Sequence, residues 1–248
     1  MESPSRNASP DPARHRGPPL LLVAIVSVLL FLAALVVPAA MGAGHIPSPF
    51  VDAETSARYF VEHAQSTRLA AFLLFGSAIP FGIFAASATS RVQFLGIKVV
   101  AGLNIALFGG LAAAILLALS SFVAWALASS ALFLSAGTIH ALHLLMFATG
   151  GPGYVVPFGL FVAGISLTSG IQGFSPRWLM FAGLAIALAA ELSSLVLVLP
   201  AVAPLLPIAR FLGLAWMLCV AASLPRSRRA AAAREDLGRS AAQGLPQT

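Results

Sequence analysis

Residues 176–223 read PRWLMFAGLAIALAAELSSLVLVLPAVAPLLPIARFLGLAWMLCVAAS. Two apolar runs of membrane-spanning length meet at a proline-rich turn between Pro200 and Pro207, which predicts an antiparallel helical hairpin. At the helical rise Glu191 lies roughly 12 Å below the end of the first run and Arg210 roughly 8 Å into the second, so the hairpin brings the two to similar depth. An isolated charge there costs about 3 kcal/mol or more, and Glu191 and Arg210 are therefore expected to form an intramembrane ion pair.

The whole chain extends this reading. Of its 248 residues 59% are hydrophobic and 9% charged, with a mean hydropathy of +0.94. Soluble domains run nearer 45–50% apolar and about 25% charged, so the composition is that of a polytopic membrane protein. The net charge of +6 does not indicate nucleic acid, because the arginines sit at the two ends and in short loops rather than along an amphipathic face. One cysteine, Cys219, lies inside the last apolar run, where it is expected to fill core.

Taken in order, residues 1–19 form a polar, proline-containing basic tail that is expected to be disordered. The first span is Leu20 to Val37, longer than the core of a cleaved secretory signal and preceded by Arg14-His15-Arg16. Asp52 is placed to cap a helix carrying Glu54, Arg58, Tyr59, Glu62 and His63, expected to run unbroken into span 2, Leu69 to Ala88, where Pro80 is a candidate kink. Span 3 runs from Val99 to about Leu119, with Asn104 and the pair Gly109-Gly110 suited to close helix contact. Ser120 to Gly137 reads as a turn region containing Trp125, and Thr138 as a cap for the next helix. That helix passes through His140 and His143, meets a break at Gly150-Gly151-Pro152-Gly153, and resumes from Tyr154 to Thr168. Spans 5 and 6 are the hairpin, and residues 225–248 form a second basic, disordered tail.

The uncharged stretch from Val99 to Gln172 has room for two spans or three. Two give six in all, an all-α transmembrane bundle over residues 20–224 with both termini cytoplasmic. Arg6, Arg14, Arg16, Arg91, Lys98, Arg177 and the tail arginines then share one side, and only Arg58 and Arg68 lie opposite. Arg226, Arg228 and Arg229 are expected to meet anionic inner-leaflet lipids.

The succession GGPGYVVPFGLFVAGIS, SPRWLMFAGL, a carboxylate, and LLPIARFLGLAW resembles uncharacterised bacterial six-span membrane proteins grouped under a domain of unknown function. The resemblance spans about Asp52 to Ser223. It implies a multi-pass protein of the bacterial inner membrane, and its small-residue and proline punctuation carries no catalytic residue, cofactor or substrate.

Residues that can carry chemistry are few. Glu191 and Arg210 are the first site candidate, read as a structural pair docking two helices or as a proton- or anion-handling site. His140 and His143 share a helical face, and His45 and His63 fall on the same predicted side, so these four with Asp52, Glu54 and Glu62 are the candidate metal ligands. None forms a tight ligand motif, and bis-histidine haem would need ligands at matched depth on separate helices. The Gly150–Gly153 segment lacks the Lys-Ser/Thr of a phosphate loop. No nucleophile motif and no long soluble loop is present, which leaves three classes. The first is a non-enzymatic protein working through partner or lipid contacts. The second is a carrier of a small solute using Glu191 and Arg210, and the third is a metal- or haem-binding protein.

Overall fold

The computed structural model describes residue 15 and residues 17–96 and 100–227. Eight α-helices account for most of these: α1 (Leu20–Ala40), α2 (Ala53–Glu62), α3 (Ala64–Phe94), α4 (Val100–Ser130), α5 (Ala136–Gly150), α6 (Pro152–Ile171), α7 (Arg177–Leu192) and α8 (Leu205–Ser223). No strand occurs among the described residues. Six helical segments are long and apolar enough to cross a membrane, the fourth formed by α5 and α6 together. The six-span all-α bundle expected from the sequence is thus the fold. Residues 1–14, 16 and 228–248 of the two tails, and with them the lipid contacts expected of Arg228 and Arg229, lie outside the described residues.

Local chemistry sets the helix ends. Asp52 caps α2 as expected, its carboxylate accepting from the Thr55 amide at 2.8 Å and from the Thr55 hydroxyl at 2.8 Å. These donors hold the Asp52 carboxyl below the usual carboxylate range. Four boundaries depart from expectation. The helix after Asp52 breaks at His63 (φ −115°, ψ 28°) before α3 begins. Helix α4 continues through Ser120 to Ser130, because the small residues read as a turn are also good helix formers when neighbouring helices cover them. The cap of α5 is Ser135, whose hydroxyl accepts from the Thr138 amide at 3.3 Å, rather than Thr138 itself. Helix α7 stops at Leu192, and two 3-10 turns, Ser193–Leu197 and Pro200–Val202, lead into α8.

The helices close into a ring: α1 packs on α3, α3 on α4, α4 on α6, α6 on α7, α7 on α8, and α8 returns to α1. Helix α6 is the most enclosed, and its Tyr154, Phe158 and Phe161, spaced along one stripe, stack in succession at 5.5 and 6.4 Å. Phe81 of α3 meets all three edge-on. The expected close contact at Gly109-Gly110 is present: a Cβ on Gly109 would sit 2.5 Å from the Pro157 carbonyl oxygen and 2.7 Å from the Phe161 nitrogen. Across the same crossing, a Cβ on Gly164 would sit 2.6 Å from the Gly102 carbonyl oxygen. Ser27 and Ser77 clamp α1 to α3, each hydroxyl donating to the other residue's carbonyl at 3.0 and 2.9 Å.

The outer surface of the ring carries Leu22, Leu29, Phe72, Phe108, Ile115, Phe181 and Leu188, an apolar exterior that lipid rather than water satisfies. Cys219 is exposed on this surface and does not fill the core as expected, since the helical period turns it away from the buried Met217 and Val220. Trp125 and Trp178, both exposed, lie toward opposite ends of the bundle. At one end the His15 amide donates to the Arg226 carbonyl at 3.2 Å, and Arg91 donates to the Pro18 carbonyl at 3.4 Å. The two ends of the described chain therefore meet at the same end of the bundle, as an even number of crossings requires. Burial and the Arg91 charge lower the pKa of His15 there.

Candidate functional site

At the opposite end the ring opens into a cavity of about 390 Å³. Its walls come from the end of α1 (Phe31, Ala34), the loop at residues 46–49, the start of α3 (Thr67, Ala70), the late part of α4 (Leu117, Ser120) and α5 (His143, Phe147). Gly150, Gly151 and the start of α8 through Arg210 complete it. Each helix contributes from this end inward, so the positions furthest along them, Phe31, Leu117, Gly150 and Arg210, make the floor.

Arg210 is held by three groups. Its Nη2 donates to the Gly150 carbonyl, and the guanidinium carbon lies 5.6 Å from the Phe31 ring centre and 5.4 Å from that of Tyr154. Gly150 ends α5, where carbonyls lack intrahelical partners, and Gly151 (φ −85°, ψ −106°) interrupts the helix so that α6 starts afresh at Pro152. Arg210 thus serves one of the free carbonyls at the end of α5. Its Nε is enclosed and has no hydrogen-bond partner.

The expected pair is not made. Among the described residues no carboxylate lies in ion-pair reach of Arg210, and Glu191 Oε1 is enclosed without a hydrogen-bond partner, beside Gly159. The hairpin of α7 and α8 forms, but its two charges meet different faces and different levels of α6. Along α7 the residues Ala187, Ala190 and Glu191 face α6, whereas Ala182, Ile186 and Ala189 face α8. Ala189 and Glu191, two positions apart, point about 200° apart around a helix. Tyr154 of α6 meets Arg210 and Gly159 of α6 meets Glu191, about 140° around and roughly 7.5 Å along the same helix.

The histidines divide. His140 and His143 come together on Ser56 of α2, whose hydroxyl lies 3.4 Å from one Nδ1 and 3.3 Å from the other. One hydroxyl proton can serve only one ring, so both contacts are hydrogen bonds only where the other ring carries its proton on Nδ1. Phe60 packs edge-on to His143 at 5.1 Å, part of a small second core with Val123, Leu127 and Ile139. His45 and His63 line a separate shallow cleft with Arg58, Tyr59 and Glu62, where burial pushes the Tyr59 phenol up. Among the described residues no group of three or more His, Cys, Asp or Glu is placed to hold a metal ion.

Sequence reasoning missed the cavity and two of its polar members. Thr67 is buried with its hydroxyl unpartnered, and Ser120 donates to the Met146 carbonyl at 2.9 Å. The available signal was the Gly150-Gly151-Pro152 break, which frees a carbonyl at membrane depth and calls for a donor such as Arg210. Fold and site together define a multi-pass α-helical membrane protein with a polar-floored cavity at one end. No family model, curated protein or solved structure matches the chain.

Proposed function

We propose that the chain is a non-enzymatic protein of the bacterial inner membrane that works by binding a small lipid-like molecule in this cavity. The observation that carries the reading is the cavity itself: about 390 Å³, within the roughly 300–1,000 Å³ of small-molecule sites, and lined mainly by apolar side chains. The arginine distribution supports cytoplasmic termini, which puts the cavity mouth on the outer side and Arg226 beside anionic inner-leaflet lipids. The test is to fill the space. Ala70→Phe should abolish co-purification of bound amphiphile, read by native mass spectrometry of protein released from nanodiscs, while unfolding remains cooperative. Undiminished binding would refute the reading.

A carrier is the second reading, favoured by the helix break at Gly151 on the cavity floor, a feature that lines solute sites in transporters. The two separate on access. A cysteine at Leu74, on the α3 wall, should react with impermeant thiol reagent from the mouth side alone in a binding protein, and from both sides in a carrier.

A further inference from the structure

We infer that the cavity's ligand is a single-chain carboxylate, its headgroup on Arg210 and its chain along the apolar wall toward the mouth, a refinement that rests on the binding reading above. Charge is the first ground. At the break the C-terminus of α5 and the N-terminus of α6 meet, and their opposite partial charges of about half an elementary charge cancel, so the full charge of Arg210 remains. The faces of Phe31 and Tyr154 and one carbonyl soften that charge, but none of them is an anion.

Donor geometry is the second. Nη2 is committed to Gly150 and Nε is enclosed, which leaves Nη1, neither enclosed nor hydrogen-bonded, as the donor open to the cavity that Arg210 lines. That remaining donor is cationic, and its strongest partner is an anionic oxygen such as one of a carboxylate, through a charge-assisted hydrogen bond.

Size is the third. At the ~30 Å³ that liquid water takes per molecule, about 390 Å³ holds roughly a dozen non-hydrogen atoms, which suits one medium-length chain with a carboxylate. The wall such a chain would follow is apolar: Ala34, Leu74, Leu117, Met146, Phe147 and Leu206.

The test uses the full chain in neutral phosphatidylcholine nanodiscs and two photoreactive probes, a diazirine-bearing decanoic acid and the matching decanol, with labelled positions mapped by peptide mass spectrometry and normalised to label in the lipid. The acid should label the cavity wall around Met146 and Phe147 at least about tenfold more than the alcohol, the ratio a charge-assisted hydrogen bond supports. Excess unlabelled decanoate should remove that label. Arg210→Gln should bring acid and alcohol to equal labelling, and the comparison within the unmodified protein stands even where that variant fails to fold. Equal labelling of the wall by both probes in the unmodified protein would overturn the carboxylate assignment and leave the binding reading in place. Absence of cavity label from either probe would overturn both.

Discussion

The guanidinium of Arg210 donates to the carbonyl of Gly150, sixty residues away in sequence, and so ties the start of the last helix to the break in the fourth span. Glu191, the carboxylate within the spans, faces α6 at the level of Gly159 instead. The two charged residues therefore belong to separate interfaces, and their substitutions should add. In a double-mutant cycle of Glu191→Gln and Arg210→Leu, unfolding in detergent should show coupling below about 0.5 kcal/mol. Coupling of about 1 kcal/mol or more would mean that the side chains meet in solution.

The crossing of α4 and α6 leaves no room for a methyl group, because the atoms a Cβ would meet are backbone and cannot swing aside. Gly109→Ala and Gly164→Ala should each destabilise by about 1–3 kcal/mol, the range of an overpacked core. Gly137, where an added Cβ meets nothing within 4 Å, is the control. Gly137→Ala should be neutral or mildly stabilising in the same thermal unfolding series, since alanine is the better helix former.

Hydrophobic length and arginine placement carried the span count, because a bilayer demands about twenty apolar residues per crossing whatever packs beside them. The Asp52 cap, the Gly109-Gly110 contact and the break at Gly150–Gly153 were legible for the same kind of reason, each being local chemistry. What could not be read was helix phase. Every face of α7 and α8 is apolar, so no polar stripe marked which one turned toward which neighbour, and Glu191 and Arg210 were paired by depth alone. The cavity was invisible for a related reason: its alanines, prolines, glycines and large apolar side chains look the same in a filled core. The continuation of α4 past Ser120 was hidden because Ser, Ala and Gly serve in both turns and close-packed membrane helices.

Ser56 organises the histidine pair, so its loss should be felt by both rings and by the docking of α2 on α5. Ser56→Ala leaves the two imidazoles facing each other without the shared hydroxyl, and should cost about 1–2 kcal/mol as a lost buried hydrogen bond. His140→Ala combined with His143→Ala should leave the zinc and copper content of purified protein unchanged by elemental analysis. A stoichiometric fall in either metal would restore the metal site.

The Asp52 carboxyl is held below its ordinary pKa by the Thr55 donors, which fixes the sign of its effect on α2. A group whose folded pKa is depressed contributes stability above its unfolded pKa, near 3.9 for aspartate, and loses it as pH falls through the lower folded value. Amide exchange at Thr55 and Ser56, corrected for intrinsic rate, should therefore speed up in that acidic window. Asp52→Asn, which keeps the capping oxygen without the titration, should flatten the dependence, whereas Asp52→Ala should raise exchange at every pH.

Ser48 on the cavity rim and Ser90 beside His15 are both exposed and lie at opposite ends of the bundle, which makes them natural reporters of orientation. The arginines that gather at the Ser90 end, Arg91, Arg177 and Arg226 among them, are the class of residue retained in the cytoplasm, whereas the rim carries only Arg58 and Arg68 among Asp52, Glu54 and Glu62. The native Cys219 faces lipid and is first replaced by alanine to remove background. In intact cells Ser48→Cys should then react with an impermeant maleimide and Ser90→Cys should not. Permeabilising the membrane should bring Ser90→Cys to the same extent of labelling. Labelling of Ser90→Cys alone would invert the protein and turn the cavity mouth to the cytoplasm, while labelling of both in intact cells would break the six-span count, since the α1–α2 loop and the end of α3 are separated by one crossing.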